Sequence, residues 1–255
     1  MAKYITYEQP LNELIRLCLR LEHLFKLIDT HLQQDSIPAS RATLTALLDI
    51  LNVVERPDLK VKLVKALGHH ANQLSRYESS KDVDQSKLAS YLNELDKIID
   101  VLHSQPGRIG QSLKDNEFLS TIRQRLSIPA GDSNFYLPSY QRWLSQSPID
   151  RQAQLQAWRN TLSTLHAAIS TLIKLTRQSA KPSTLSLQDS FYQQSLDTNI
   201  DWQLVRITLD FDSQLYPEVS VGRHRLNIRF HTLNPHGRPA TPQLPLACVL
   251  TLCSS

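Results

Sequence analysis

The sequence predicts an α+β fold, an N-terminal α-helical domain followed by a C-terminal antiparallel β-sheet domain. From residue 10 to about 180, apolar residues recur at alternating spacings of three and four; beyond that they recur every second residue. The composition changes between the two regimes, at Ser179-Ala180-Lys181-Pro182-Ser183. A domain boundary belongs there, with 1–180 helical and 181–255 β, and with segment 115–147 able to pack with either part.

The helical elements follow from stripes and breakers. A first helix after Pro10 carries Leu14, Leu17, Leu21, Leu24 and Ile28. The turn-rich Asp35-Ser36-Ile37-Pro38-Ala39-Ser40 ends it, and Ser40 is taken as the N-cap of a second helix through about Val54. Pro57 opens a third, to about Tyr77. Asp84 caps a fourth, with Leu88, Leu92, Leu95, Ile99 and Leu102. Past the break at Gln105-Pro106-Gly107, a short helix from Asn116 to Leu126 leads into Ser127-Ile128-Pro129-Ala130-Gly131, and a turn falls at Pro138. The longest helix is expected over Pro148 to Gln178, where Leu155, Trp158, Leu162, Leu165, Ile169 and Leu172 form a seam suited to a buried bundle helix or to half of a subunit interface. Four strands are expected after the boundary: Thr184 to Tyr192, Trp202 to Phe211, Arg223 to Leu233 and Pro245 to Leu252. Their short connections favour antiparallel pairing, because parallel strands need longer crossovers.

A chain of 255 residues is long enough to bury a core without covalent staples. Cys18, Cys248 and Cys253 are odd in number and widely spaced, and read as free thiols of a reducing cytoplasm. No apolar run approaches the roughly 20 residues that span a bilayer. The net charge of +4 is unevenly placed. No acidic residue lies between Asp150 and Asp189, where Arg151, Arg159, Lys174, Arg177 and Lys181 fall, and none follows Glu218, where Arg223, Arg225, Arg229 and Arg238 fall. An acidic partner is the simplest inference.

The second basic stretch has internal order. Read as a strand, it turns Leu226, Ile228 and Phe230 inward and sets Arg223, Arg225 and Arg229 on the opposite face, a guanidinium ladder suited to carboxylates or phosphates, or else a solubilising surface. Arg16 and Arg20 lie one above the other on the first helix, either as a second two-pronged anion site or as a solvated face paired with Glu13. Arg56, Arg108 and Arg123-Gln124-Arg125 are further candidates.

Catalytic and cofactor chemistry lacks support. Gly107-Arg108-Ile109-Gly110 is the nearest approach to a phosphate loop and lacks its form; no nucleophile elbow or zinc-protease helix occurs. His69-His70 on a helix diverge by about 100° and chelate poorly together. His224, His231 and His236 alternate in parity without a nearby carboxylate, and Asp210 and Asp212 share a strand face without a pocket. Neither metal nor cofactor is expected, and no enzyme activity.

Several longer words remain: Glu8-x-Pro10-Leu11-Asn12-Glu13-x-x-Arg16-x-x-Leu19-Arg20-x-Glu22, Glu55-Arg56, Val83-Asp84-Gln85-Ser86, Arg108-Ile109-Gly110-Gln111, Arg123-Gln124-Arg125-Leu126-Ser127-Ile128-Pro129, Arg177-Gln178-Ser179-Ala180 and Asp212-Ser213-Gln214-Leu215-Tyr216-Pro217. In this order they closely resemble the ZapD family of bacterial cell-division proteins. The resemblance implies a cytoplasmic homodimer at the division site, an α-helical domain joined to a β-domain, and binding to the C-terminal tail of the tubulin-like protein FtsZ. A symmetric dimer with two such sites bundles filaments through valency and so stabilises the Z-ring during septation. The family's basic binding residues correspond here to Arg16, Arg20, Arg56, Arg225 and Arg229, with Arg108 and Arg223 as weaker candidates. The likeness thins at Glu117 and Gln141, where relatives can carry basic residues. With an acidic and apolar tail as ligand, a groove between the helical and strand arginines is expected. A basic nucleic-acid-binding protein is the alternative, favoured by exposed aromatics interleaved with the arginines; the arginine strand offers only the inward Phe230. Neither nucleic acid nor membrane is expected as a partner.

Overall fold

The computed structural model describes residues 3–80, 82–234, 238–240 and 246–255. The α+β expectation holds, helices preceding antiparallel strands, and the chain divides into two compact units, Leu17–Leu172 and Met1–Arg16 with Ile173–Ser255.

The helical unit is built from α1 (Glu13–His31, whose first turn belongs to the other unit), α2 (Ile37–Val53), α3 (Leu59–Ser75), α4 (Gln85–Ser104), α5 (Gln111–Lys114), α6 (Glu117–Leu126), α7 (Pro138–Leu144), α8 (Pro148–Asn160) and the first part of α9 (Ser163–Gln178). Asp84 caps α4 as expected, and Asn116 caps α6, each side chain accepting from backbone N–H groups. The cap of α2 is Ser36, not Ser40. Ser36 Oγ accepts from Ala39 N, with Pro38 in the first turn, and Ser40 is buried one turn inside the helix.

The expected single helix from Pro148 to Gln178 is two helices, broken at Thr161-Leu162. Thr161 and Leu162 close tight turns on Trp158 O and Arg159 O instead of continuing the helical ladder. Leu155, Trp158, Leu162, Leu165, Ile169 and Leu172 are nevertheless all buried within the chain. The seam is therefore a bundle core and is not available as half of a subunit interface.

Segment 115–147 is tied to the helical unit by aromatic packing: Trp143 stacks on Tyr140 and Trp158, and Phe118 on Trp158. Trp143 Nε1 donates to Gln154 Oε1 at 2.7 Å. In the loop after α6, Gly131 has no substitute: a Cβ there would stand 1.8 Å from Arg125 O.

The β unit holds two antiparallel sheets rather than one. The first has the order β1-β4-β8-β2, from β1 (Tyr4–Pro10), β2 (Ser183–Leu187), β4 (Trp202–Asp210) and β8 (Leu246–Ser254). The second has the order β3-β6-β5, from β3 (Phe191–Ser195), β5 (Tyr216–Val221) and β6 (Arg225–Leu233), with the short β7 (Pro239–Ala240) also on β6. Val205, Ile207, Leu209, Cys248 and Leu250 of the first sheet share one buried cluster with Leu226, Ile228 and Phe230 of the second. That is a two-layer core of inward-facing alternate residues.

The expected Thr184–Tyr192 strand is in fact β2 and the start of β3. Among the described residues, β1, β5 and the two-residue β7 lie outside the expected set. Tyr4–Pro10 reads tyrosine, isoleucine, threonine, tyrosine and pairs with β4 from Tyr4↔Asp210 to Pro10↔Leu204. Tyr216–Val221 was concealed by Pro217, which a strand at a sheet edge tolerates. Asp210 and Asp212 do not share a strand face: β4 ends at Asp210, whose carboxylate accepts from Asp212 N in a 3-10 turn.

Candidate functional site

Arg225 and Arg229 of the second basic stretch lie on the outer face of the β3-β6-β5 sheet. Leu226, Ile228 and Phe230 are buried and Arg225 and Arg229 are exposed, as the alternation predicts. Arg223 departs from the ladder: β6 starts at Arg225, and Arg223 is an exposed turn residue between β5 and β6, closed by Gly222 N donating to Arg225 O at 2.9 Å. Arg238 is exposed just before β7, its N–H donating to Asn234 Oδ1.

Register gives the face its rows. Arg229 stands between Glu218 on β5 and Phe191 on β3; Asn227 stands between Ser220 and Gln193; Arg225 lies beside Ser195. The next row pairs His231 with Tyr216, whose rings stack at 5.5 Å. Glu218 turns to His231, Oε2 to Nε2 3.3 Å, so this histidine does have a carboxylate neighbour. Among the described residues, no carboxylate lies within ion-pairing distance of Arg225, Arg229 or Arg20. A rigid sheet thus presents two guanidiniums about 13 Å apart, from the strand rise over four residues.

On α1, Asn12 caps the helix through Ile15 N, and Ile15, Leu17, Cys18 and Leu21 are buried, which leaves Arg16 and Arg20 outward. Arg16 Nη1 donates to Glu13 Oε2 at 2.7 Å, the local pairing that competes with an external anion.

Within the helical unit, the α2–α3 and α4–α5 connections bring Arg56 and Arg108 to one shallow pocket, with Lys60 beside them. Lys60 was not singled out in the sequence; its Nζ donates to Gln105 O at 2.6 Å across that pocket. Close by, Arg123 donates to Asn52 Oδ1 and Glu55 Oε1. The bond from Arg123 to Glu55, with the charges of Arg123, Lys114 and Arg108, holds the Glu55 carboxyl below its ordinary value. Arg125 lies over Tyr136, 5.5 Å from its ring centre.

The first basic stretch has an internal use that sequence alone concealed. Arg151 is buried and donates to Ser40 Oγ and to the carbonyls of Asp35, Leu144 and Gln146. Arg159 pairs with Asp29 at 3.1 Å. Arg177 pairs with Glu8 at 2.7 Å, and Glu8 also accepts from Arg206 at 2.8 Å. Burial raises the Glu8 carboxyl, but the bonds and charges of Arg177 and Arg206 outweigh it and leave it below its ordinary value. These three arginines hold the fold.

Other titratable side chains are structural. The three cysteines are buried free thiols, and burial pushes Cys18 up to about 12. His70 is buried on α3, and burial, then the charge of His69, lowers its pKa. His236 lies outside the described residues. Among the described residues no group of three or more metal-ligating side chains gathers, and no helix is long and apolar enough to cross a membrane.

A helical bundle, a two-sheet β unit and exposed arginines on both define an α+β protein whose distinctive chemistry is cationic and lies on its surface. A family model described as "ZapD: Cell division protein" matches residues 19–229. Similar curated proteins, each named "Cell division protein ZapD", include one from Coxiella burnetii (strain RSA 493 / Nine Mile phase I), 39% identical over 244 residues, 96% of this chain and 95% of the relative. One from Dechloromonas aromatica (strain RCB) is 36% identical with 89% of each chain covered, and one from Bordetella pertussis (strain Tohama I / ATCC BAA-589 / NCTC 13251) is 31% identical over the whole of both. The chain belongs to the ZapD family of cell division proteins, and its role is in cell division.

Proposed function

We propose that this chain binds the acidic, apolar C-terminal tail of FtsZ and, as a homodimer, cross-links FtsZ filaments in the cytoplasm at the division site, without catalysis. The observation that carries this is the pair Arg225 and Arg229, exposed on a rigid sheet with no ion-pairing carboxylate among the described residues. Guanidinium forks bind carboxylates bidentately, and a sheet fixes their separation before the ligand arrives. Arg20, Arg56 and Arg108 are further exposed contributors, and Arg16 joins them by releasing Glu13, an exposed pair whose loss costs at most about 1 kcal/mol. Arg223, on its turn, flanks the face. Bundling then needs two sites per particle and no chemical step.

Replacing Arg225 and Arg229 together by Glu should abolish co-sedimentation with FtsZ filaments and leave the oligomeric state unchanged on a sizing column. Undiminished pelleting of the double variant removes β6 from the site. A salt titration against a fluorescent single-stranded DNA, beside one against the tail peptide, discriminates the nucleic-acid reading.

A further inference from the structure

The outer face of the β3-β6-β5 sheet carries one residue that a purely electrostatic site does not need. Phe191 is 40% exposed at the start of β3, on a strand whose other outward residues are Gln193 and Ser195. With 40% of its surface in water, Phe191 keeps apolar area that folding leaves uncovered. Its placement is specific. It stands directly opposite Arg229, and because Phe230 N donates to Ser190 O at 2.8 Å, the Phe191–Arg229 pair is the narrow, non-hydrogen-bonded kind, with side chains in closest approach.

The ring is also unengaged. Among the described residues it has no aromatic partner, and the guanidinium groups that cover rings elsewhere, those of Arg41, Arg125 and Arg159, cover Tyr140, Tyr136 and Phe25. Arg229 is the register partner of Phe191 and is not among the guanidiniums that cover rings. The amides of Asn227 and Gln193 form the next row, and Arg225 the row after.

We propose that Phe191 is a specificity-determining residue of this face: it takes an apolar side chain of the bound peptide next to the carboxylate held by Arg229. The face then reads a composite signal, acid beside apolar, and rejects a peptide that is acidic alone. This rests on the tail-binding reading given above and deepens it. The same ring would suit base stacking, but a nucleic-acid platform repeats its aromatics along the strand. Here the rings of the adjoining row, Tyr216 and His231, are stacked on each other, and Glu218 in the row of Phe191 opposes phosphate.

The test is a two-by-two set of anisotropy titrations at fixed salt. The protein is wild type or Phe191→Ala; the probe is the FtsZ tail peptide or the same peptide with its apolar residues replaced by serine. Phe191→Ala should weaken the native tail about five- to ten-fold, leave the serine-substituted peptide unchanged, and keep the wild-type salt dependence. Phe191→Leu, which retains an apolar surface, should restore most of the affinity. Arg225→Ala/Arg229→Ala, run in parallel, should weaken both peptides and flatten the salt dependence.

If Phe191→Ala binds both peptides like wild type while the arginine variant is weakened, the apolar contact is refuted and the tail-binding reading stands. If the arginine variant also binds like wild type, that reading falls with it. A larger loss for oligo(dT) than for the tail peptide in Phe191→Ala would make the ring a base-stacking residue and overturn the proposal.

Discussion

Arg151 shows how a basic residue is diverted from ligand binding to structure. The residue is 3% exposed, and its guanidinium meets a hydroxyl and three carbonyls, with no carboxylate among its acceptors. It joins the start of α8 to the start of α2 and the end of α7, and at α7 it satisfies Leu144 O, one of the carbonyls that the last turn leaves without a helical partner. Arg151→Ala strands several buried acceptors at once, which costs about 3 kcal/mol or more. Thermal denaturation followed by circular dichroism should show a fall on the order of 10 °C, at roughly 2–4 °C per kcal/mol for a chain of this size. A shift within a degree or two of wild type would mean that water replaces the side chain. The charge count of the sequence could not separate Arg151 from Arg225. Both lie in acid-free stretches, and only the packed structure shows that one faces carbonyls and the other faces solvent.

At the scale of elements, Glu8 ties three together. It sits on β1, accepts from Arg206 on its register partner in β4, and accepts from Arg177 near the end of α9. Its carboxyl is held below the ordinary value, so the unfolded chain takes up its proton first as acid is added. The stabilisation is therefore full above about pH 4.5 and is lost as pH falls through the depressed folded value. Glu8→Gln should lower the urea midpoint at pH 7 and flatten its decline between pH 5 and pH 3; a variant that keeps the wild-type acid slope would assign that slope to other carboxylates. The helix stripes, the cap at Asp84 and the parity of β6 were legible in the sequence, because each is a local pattern. The break at Thr161-Leu162 was not, because both half-helices bury the same seam and the periodicity runs through it. Nor was the pairing of β1 with β4, whose partners Glu8 and Arg206 are 198 residues apart in sequence and which has no local signature. Phe191 was visible as a strand residue, but its value as a ligand contact depends on standing opposite Arg229, which is a matter of register.

For the whole molecule, the proposed activity is one of valency. If a homodimer ties filaments together through two tail sites, excess free tail peptide should dissolve bundles without shortening filaments, as read by light scattering and by electron microscopy of the same sample. Loss of the filaments themselves would indicate an action on the polymer lattice instead. The same molecule carries a constraint on how it is made. β4 is flanked by β1 from the start of the sequence and by β8 from its end. During synthesis the helical unit, Leu17–Leu172, is complete while β1 still has no partner, and the first sheet cannot close until β8 leaves the ribosome. β1, unpaired and rich in tyrosine, thus waits for β4, and β2 waits in turn for β8; for that interval the nascent chain is a folded bundle trailing an open sheet edge.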